Sequence, residues 1–194
     1  IVSEMVNEFD ERCKNANVHG HLAVEAGTIA RIICQRSQWT DLIVSKLSYP
    51  PGDHPIARLS SGFRTMIRRC PRPVLVVPEQ VTDLNHALLS YNGTPKADEA
   101  LYLATYLANK WNIQLSVLTI VHDDIQEETV HQKAKQYLED HEVQATYLRH
   151  AAGQRSEIIL ESVMSNKCDF ILIGGYKASP VVEVVLGSVV DEVL

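Results

Sequence analysis

The stretch that decides the fold is Ala87–Ala97, ALLSYNGTPKA, in which a short apolar run leads through a turn into a helix start. Thr94 and Pro95 are typical of an N-cap and a first helical position. Apolar residues then recur at three-and-four spacing as far as Ala108, which predicts a helix with one buried side. A buried strand followed directly by an amphipathic helix is the first half of a βαβ unit.

The same order of elements continues in both directions along the chain. Short apolar runs predict strands at Asp41–Val44, Pro73–Val77, Ala87–Ser90, Leu115–Val121 and Phe170–Ile173. Helical patterns lie between them, among them Glu127–Asp140 and the segment around Ile159. Apolar runs without strict alternation suit strands that are buried on both faces. The sequence therefore predicts an α/β protein with a mostly parallel sheet.

Three places in the first half of the chain resemble places about 127 residues later. The matching pairs are Thr40–Val44 with Cys168–Leu172, Ala26–Gly27 with Ala152–Gly153, and Leu59–Ser61 with Leu186–Ser188. We interpret the chain as a tandem repeat. Residues 1–79 would form the C-terminal part of a first copy, and residues 80–194 a second copy that lacks its last strand. We expect the absent parts to come from a longer native chain or from another subunit.

Charge and composition argue against several classes of protein. The chain has 18 Lys and Arg against 24 Asp and Glu, a net charge of -6, so it has no basic surplus for a nucleic-acid backbone. Apolar runs such as Val74–Val77 are far shorter than the roughly 20 residues of a membrane helix. The four cysteines form no Cys-x-x-Cys pair. We therefore expect idle thiols in a reducing, cytoplasmic compartment, and no contact of this segment with nucleic acid or membrane.

A glycine pair at the end of a predicted strand is the candidate binding feature. Gly174 and Gly175 follow Phe170–Ile173, and ligands in open α/β sheets bind outside the carboxyl ends of the strands. Gly187 and Ser188 come later, at a predicted helix start whose free amides and hydroxyl can hold an anion. Glycine pairs also serve simply to turn a chain, and that interpretation stays open.

These segments together resemble the universal stress protein family. The string Gly174-x2-Lys177-x9-Gly187-Ser188 is similar to the family's nucleotide-binding motif, with lysine at its second glycine. The stretch Ala87–Ala97 resembles the family's first strand, turn and helix, with Asn92 where binding members carry Asp, and Ile67–Pro78 resembles its last helix and strand. The resemblance covers nearly the whole chain as a tandem pair of such domains. It implies an open five-stranded parallel sheet with helices on both faces, of the adenine nucleotide alpha hydrolase-like kind.

The resemblance also implies a ligand and the residues that touch it. ATP or a related adenine nucleotide would bind the second copy, and Mg2+ only together with it. The implied contacts are Asn92 and Ile120 at the base, Gly174, Gly175 and Lys177 along the ribose and phosphates, and Gly187, Ser188 and Val189 at the phosphates. Lys177 either reaches a phosphate as a point charge or is a solvated loop residue. The first copy lacks these glycines, so we expect no nucleotide there.

The family resemblance implies a cytoplasmic stress-response regulator rather than an enzyme. No motif in the sequence positions a general base or a nucleophile, so ATP hydrolysis would be slow and incidental. Because the family dimerises through its last strand, Pro73–Val77 is the expected pairing edge, in a homodimer or between the two copies. Two alternatives stay open: an interaction module that dimerises without binding nucleotide, and a soluble regulatory domain of a membrane transporter.

Overall fold

The computed structural model describes residues 2–46, 62–77, 82–121, 124–151, 153–175 and 193. Its helices are α1 (Val2–Asn15), α2 (Ile29–Arg36), α3 (Gly62–Arg69), α4 (Pro95–Trp111), α5 (Asp124–Asp140) and α6 (Arg155–Ser165), with a 3₁₀ turn at Ser37–Trp39. Its strands are β1 (Ile43–Lys46), β2 (Val74–Val77), β3 (His86–Ser90), β4 (Gln114–Val121), β5 (Ala145–Ala151) and β6 (Phe170–Ile173). Strands and helices alternate, which confirms the predicted α/β class. None of the helices, over the residues described, has the length and apolarity needed to cross a membrane.

The strands form two separate parallel sheets. β3 to β6 make a four-stranded sheet in the order β5-β4-β3-β6, in which Ala87 lies beside Leu115 on one side and beside Phe170 on the other. β1 and β2 pair with each other, with Ile43 opposite Val74. The expectation of a five-stranded sheet is therefore wrong for the residues described. The physical reason is that β1 and β2 pair with each other along one edge, and neither of them bonds a described strand of the larger sheet.

The side chains of β3 alternate between two hydrophobic cores. Ala87 and Leu89 belong to the cluster under α4 and α5, whereas Leu88 packs with Leu118 and Ile159 under α6. All three β3 residues are completely buried. Helices therefore cover both faces of the four-stranded sheet, as expected, and an apolar run without alternation is the pattern that such a strand needs.

The sequence pattern shifts β1 and misses β5. The strand expected at Asp41–Val44 lies at Ile43–Lys46, and Leu42 is exposed ahead of it. β5 is an edge strand with a partly exposed surface, so its residues Ala145–Ala151 include Arg149 and His150 and make no continuous apolar run. An edge strand with one covered side therefore escapes a search for buried runs.

A disulfide joins α2 and the end of α3, the helices that precede β1 and β2 of the smaller sheet. Cys34 near the end of α2 and Cys70 just after α3 are bonded, with their Cα atoms 4.6 Å apart. The expectation of idle thiols is therefore wrong for these two residues, while Cys13 and Cys168 are free thiols. The partners are 36 positions apart, and only the packing of α2 against α3 brings them together.

Removing this cross-link should destabilise the unit formed by α2, β1, α3 and β2. Among the residues described in this unit, the buried apolar side chains are Ala30, Ile43 and Met66. Closing a loop with a separation of 36 residues contributes about 3–4 kcal/mol in the chain-entropy account of disulfides. In hydrogen-exchange mass spectrometry, the double variant Cys34→Ala with Cys70→Ala should lose amide protection in β1 and β2 and keep it in β3. Cys13→Ala is the control, and unchanged exchange in the double variant would contradict this role.

Candidate functional site

The four-stranded sheet reverses its winding direction between β3 and β6. The chain passes from β3 to β4 and β5 on one side, and then returns to place β6 against the other side of β3. At such a switch point the connections leave neighbouring strands in opposite directions, and open α/β sheets as a class bind their ligands in a crevice outside the carboxyl ends there. We call this position the switch-point crevice. Asn92 follows β3 and Gly174 follows β6, so both residues border this crevice.

The side chain of Asn92 closes the turn between β3 and α4. Its Oδ1 accepts hydrogen bonds from the backbone N–H of Thr94 at 3.2 Å and from the Thr94 hydroxyl at 2.7 Å. The Thr94 hydroxyl oxygen accepts from the N–H of Ala97 at 3.4 Å, as predicted for an N-cap. Because a backbone N–H can only donate, the Asn92 amide must point its oxygen into the turn. Its Nδ2 group is then the part of this exposed side chain that a ligand can meet.

Gly174 packs directly against the first turn of α4. A Cβ at this position would lie 2.7 Å from the carbonyl oxygen of Lys96 and 3.0 Å from the nitrogen of Ala97. No side chain fits there, so glycine allows the end of β6 to approach the helix backbone. At Gly175 a Cβ would meet Cγ2 of Ile67 at an ordinary 3.5 Å, with no closer atom among the described residues. The close contact with α4 is therefore enough to explain a glycine at position 174, without a turn or a phosphate contact.

A polar chain ties the first turn of α4 to its neighbours. The buried Tyr91 donates its hydroxyl to Oδ1 of Asp98 at 2.7 Å, and Lys133 of α5 donates to Oδ2 at 2.7 Å. Burial, and then the hydrogen bond to Asp98, raise the pKa of Tyr91, so the phenol stays protonated. Burial also disfavours the Asp98 carboxylate, but the hydrogen bonds from Lys133 and Tyr91 outweigh it and lower the pKa of that carboxyl. These hydrogen bonds between side chains fix β3, α4 and α5 relative to one another beside the crevice.

Half of the predicted contact residues lie in the described part of the chain. Asn92 and Gly174 lie at the ends of adjacent strands, and Gly175 follows. Ile120 is half-buried on β4 and packs on the cluster under α6. The N–H of Tyr91 bonds the carbonyl of Leu118 at 2.9 Å, which brings the end of β4 beside the Asn92 turn. The other four predicted residues, Lys177, Gly187, Ser188 and Val189, lie outside the described residues, so the set of contacts stays a prediction.

Sequence reasoning missed the polar chain of Tyr91, Asp98 and Lys133. An acidic residue in a first helical turn is ordinarily explained by the helix dipole, so Asp98 carries no special signal. Lys133 lies on another helix 35 positions away, and no local pattern connects the two. In the described ranges no group of three or more His, Cys, Asp or Glu residues could hold a metal ion.

Comparison with known proteins identifies the fold. The chain matches a universal stress protein structure from Archaeoglobus fulgidus DSM 4304 with a TM-score of 0.79 and 16% identity, over 98% of this chain and 71% of that one. It also matches, with a TM-score of 0.49 and 18% identity, a universal stress protein solved in complex with cAMP, over 56% of this chain and 86% of that one. A universal stress protein family structure from Burkholderia pseudomallei matches with a TM-score of 0.44 and 15% identity, over 55% and 92% of the two chains. No protein-family model and no curated protein sequence matches the chain. The chain therefore has the fold of the universal stress proteins, as the sequence resemblance implied.

Gly174→Ala should destabilise the protein by about 1–3 kcal/mol, the usual cost of forcing an extra group into a packed contact. The added methyl would collide with the backbone of Lys96, which cannot move without disturbing the first turn of α4. Gly175→Ala is the matched control, because among the described residues its methyl would only touch Ile67, at an ordinary distance. Urea unfolding of the two variants measures the difference, and equal stability of both would contradict the close approach of β6 to α4.

Asp98→Asn should remove about 1–3 kcal/mol of stability near neutral pH, because two hydrogen bonds to a charged carboxylate are weakened, one of them part-buried and the other exposed. The native pKa of Asp98 is lowered, so its ionised form stabilises the fold above the ordinary value of 3.8. The stability difference between wild type and variant should therefore shrink as the pH falls through the native pKa. Urea unfolding from neutral to acid pH measures it. Glu99→Gln is the control, because Glu99 is an exposed carboxylate paired with Lys96. A stability difference between wild type and Asp98→Asn that does not depend on pH would contradict the explanation.

Proposed function

We propose that the chain is a universal stress protein, a stress-response regulator whose residues 80–194 bind ATP or another adenine nucleotide. The reversal of winding between β3 and β6, which places Asn92 and Gly174 at the ends of adjacent strands, is the observation that carries the proposal. Open α/β sheets take their ligands at this position. The string from Gly174 to Ser188 resembles the family's nucleotide-binding motif and supports a ligand with phosphates.

The described residues beside the crevice suit a ligand that is rich in hydrogen-bond acceptors. Asn92 offers the two N–H groups of Nδ2, because its oxygen is held in the turn. The first turn of the 17-residue helix α4 borders the same crevice and brings the positive end of its dipole there. The nearby carboxylate of Asp98 is neutralised by Lys133. Mg2+ would arrive only with the nucleotide, whose phosphates would supply its remaining ligands.

We propose regulatory binding and no efficient catalysis. Two titratable side chains of the described part near the crevice are engaged in structure, since Tyr91 is held protonated and Asp98 is bonded by both Tyr91 and Lys133. Any hydrolysis of ATP would be slow and incidental. The family resemblance also supports a cytoplasmic location. In that compartment the Cys34–Cys70 disulfide would be exposed to reducing agents.

A dimerisation module without nucleotide is the second candidate, and the edge of β2 favours it. β2 pairs with β1 along one edge, and in the described part of the chain no strand lies on its other edge. Such an edge can accept a strand from another copy. Under this proposal the segment Pro73–Val77 pairs with its equivalent in a homodimer, or with the other copy in an intramolecular pseudo-dimer. Two departures from the family's nucleotide-binding pattern favour the same candidate. Position 177 is lysine instead of glycine, and the side-chain oxygen of Asn92 is already hydrogen-bonded to Thr94.

Calorimetric titration of the purified chain with magnesium and ATP tests the proposed function. We expect heat release with a micromolar dissociation constant. Lys177→Ala and Ser188→Ala should each weaken binding about tenfold, the effect of losing one charge-assisted hydrogen bond. Lys167→Ala removes an exposed lysine after α6 and is the matched control. A flat trace at millimolar ATP would contradict nucleotide binding and support the dimerisation module.

A further inference from the structure

We propose a second binding site, for a flat aromatic anion, in a groove between α4 and α5. The groove has a volume of about 390 Å³, and its lining includes Tyr102, Tyr106, Asn109, Lys110, Tyr137 and His141. This volume is within the range of pockets that hold small ligands. Most of these side chains carry a ring, and the others carry hydrogen-bond donors. We call this groove the tyrosine groove.

The tyrosine groove is remote from the switch-point crevice. α4 begins at the carboxyl ends of the strands and ends just ahead of the start of β4. Tyr106 lies eleven residues beyond Pro95, which is about 16 Å along the helix axis. His141 comes just before β5 begins, at the amino end of that strand. The groove is therefore at the opposite end of the sheet, and the inference does not rest on the proposed nucleotide site.

One wall of the tyrosine groove is a stack of three rings. The Tyr137 ring lies 4.9 Å from the Tyr102 ring with a tilt of 40°, and 4.2 Å from the His141 ring in a stacked arrangement. His141 donates from Nδ1 to the carbonyl oxygen of Tyr137 at 2.7 Å, because a carbonyl can only accept. Asn109 donates to the carbonyl oxygen of His141 at 3.1 Å. These bonds hold the wall in place before a ligand arrives.

The groove also presents aromatic surface that is still in contact with water. Tyr102 is 49% exposed and Tyr106 is 58% exposed, and four-residue spacing puts both on one face of α4. A flat ring that stacks there removes water from both partners. Offset or tilted aromatic contacts add about 0.5–1.5 kcal/mol to this burial. The shape and chemistry of the wall therefore select a planar ring.

The polar groups of the groove select a negative charge on that ring. Among the described residues that line the groove, Lys110 is the cation, and none is an Asp or a Glu. Within the described part of the chain Lys110 makes no ion pair. Burial, and then the neighbouring Tyr102, raise the pKa of Tyr137, so its phenol is a neutral donor. The ligand class is therefore an aromatic ring with a carboxylate, sulfonate or phosphate substituent.

A pair of probes that differ only in charge tests the proposal: naphthalenesulfonate and the neutral naphthalenesulfonamide. In nuclear magnetic resonance titrations of the whole chain, the sulfonate should shift the ring signals of His141 and Tyr137 and bind more tightly than the sulfonamide. Lys110→Gln should weaken the sulfonate about fivefold and leave the sulfonamide unchanged, as expected for an exposed ion pair. Tyr106→Leu should weaken both probes about fivefold, because it keeps apolar bulk and removes the ring.

Lys135→Gln is the matched control, since Lys135 lies on α5 outside the groove and pairs with Glu139. Equal affinity of the wild type for the two probes would overturn the proposal. An equal loss of sulfonate affinity in Lys135→Gln and Lys110→Gln would show a non-specific charge effect and would overturn it as well. Shifts confined to residues outside the groove, or no shift with either probe, would have the same meaning.

Discussion

The parallel pairing of β3 on both of its edges is the constraint on which the described site depends. β3 bonds β4 on one side and β6 on the other, and its residues Ala87, Leu88 and Leu89 have no exposed surface. A strand in this position must receive a helix on each face, because each face carries apolar side chains. It must also lie where the chain reverses its winding direction. The reversal of winding at its edges is thus a consequence of the same pairing that builds the core.

Hydrogen bonds between polar groups, rather than the packing of large apolar side chains, fix the residues at the edge of the switch-point crevice. Asn92 and Thr94 close the turn after β3, and Asp98 joins Tyr91 to Lys133 of α5. On the other side of the crevice, Gly174 brings β6 against the backbone of Lys96. Hydrogen bonds of this kind are strong only when their partners are partly shielded from water, as Tyr91 and Asp98 are. These contacts fix the described residues around the switch point relative to one another.

The smaller sheet is stabilised in a different way. β1 and β2 have four residues each, and the core beneath them is small, so apolar burial supplies less there than in the larger sheet. The covalent link between Cys34 and Cys70 compensates by restricting the unfolded chain. Spacing rules for metal or redox cysteines give no hint of this pair. It exists because α2 and α3 pack side by side, and that packing is a tertiary event.

The sequence by itself determined the class and much of the local structure. The buried run Ala87–Ser90, the N-cap at Thr94 and the strand Phe170–Ile173 are all present as predicted, because apolar periodicity and capping chemistry act over a few residues. Only the tertiary structure decided how many strands share a sheet and which cysteines meet. It also decided that the backbone of α4 leaves room only for glycine at position 174, and that Lys133 donates a hydrogen bond to Asp98. Each of these outcomes depends on distances between segments far apart in the chain, and local propensity contains no information about such distances.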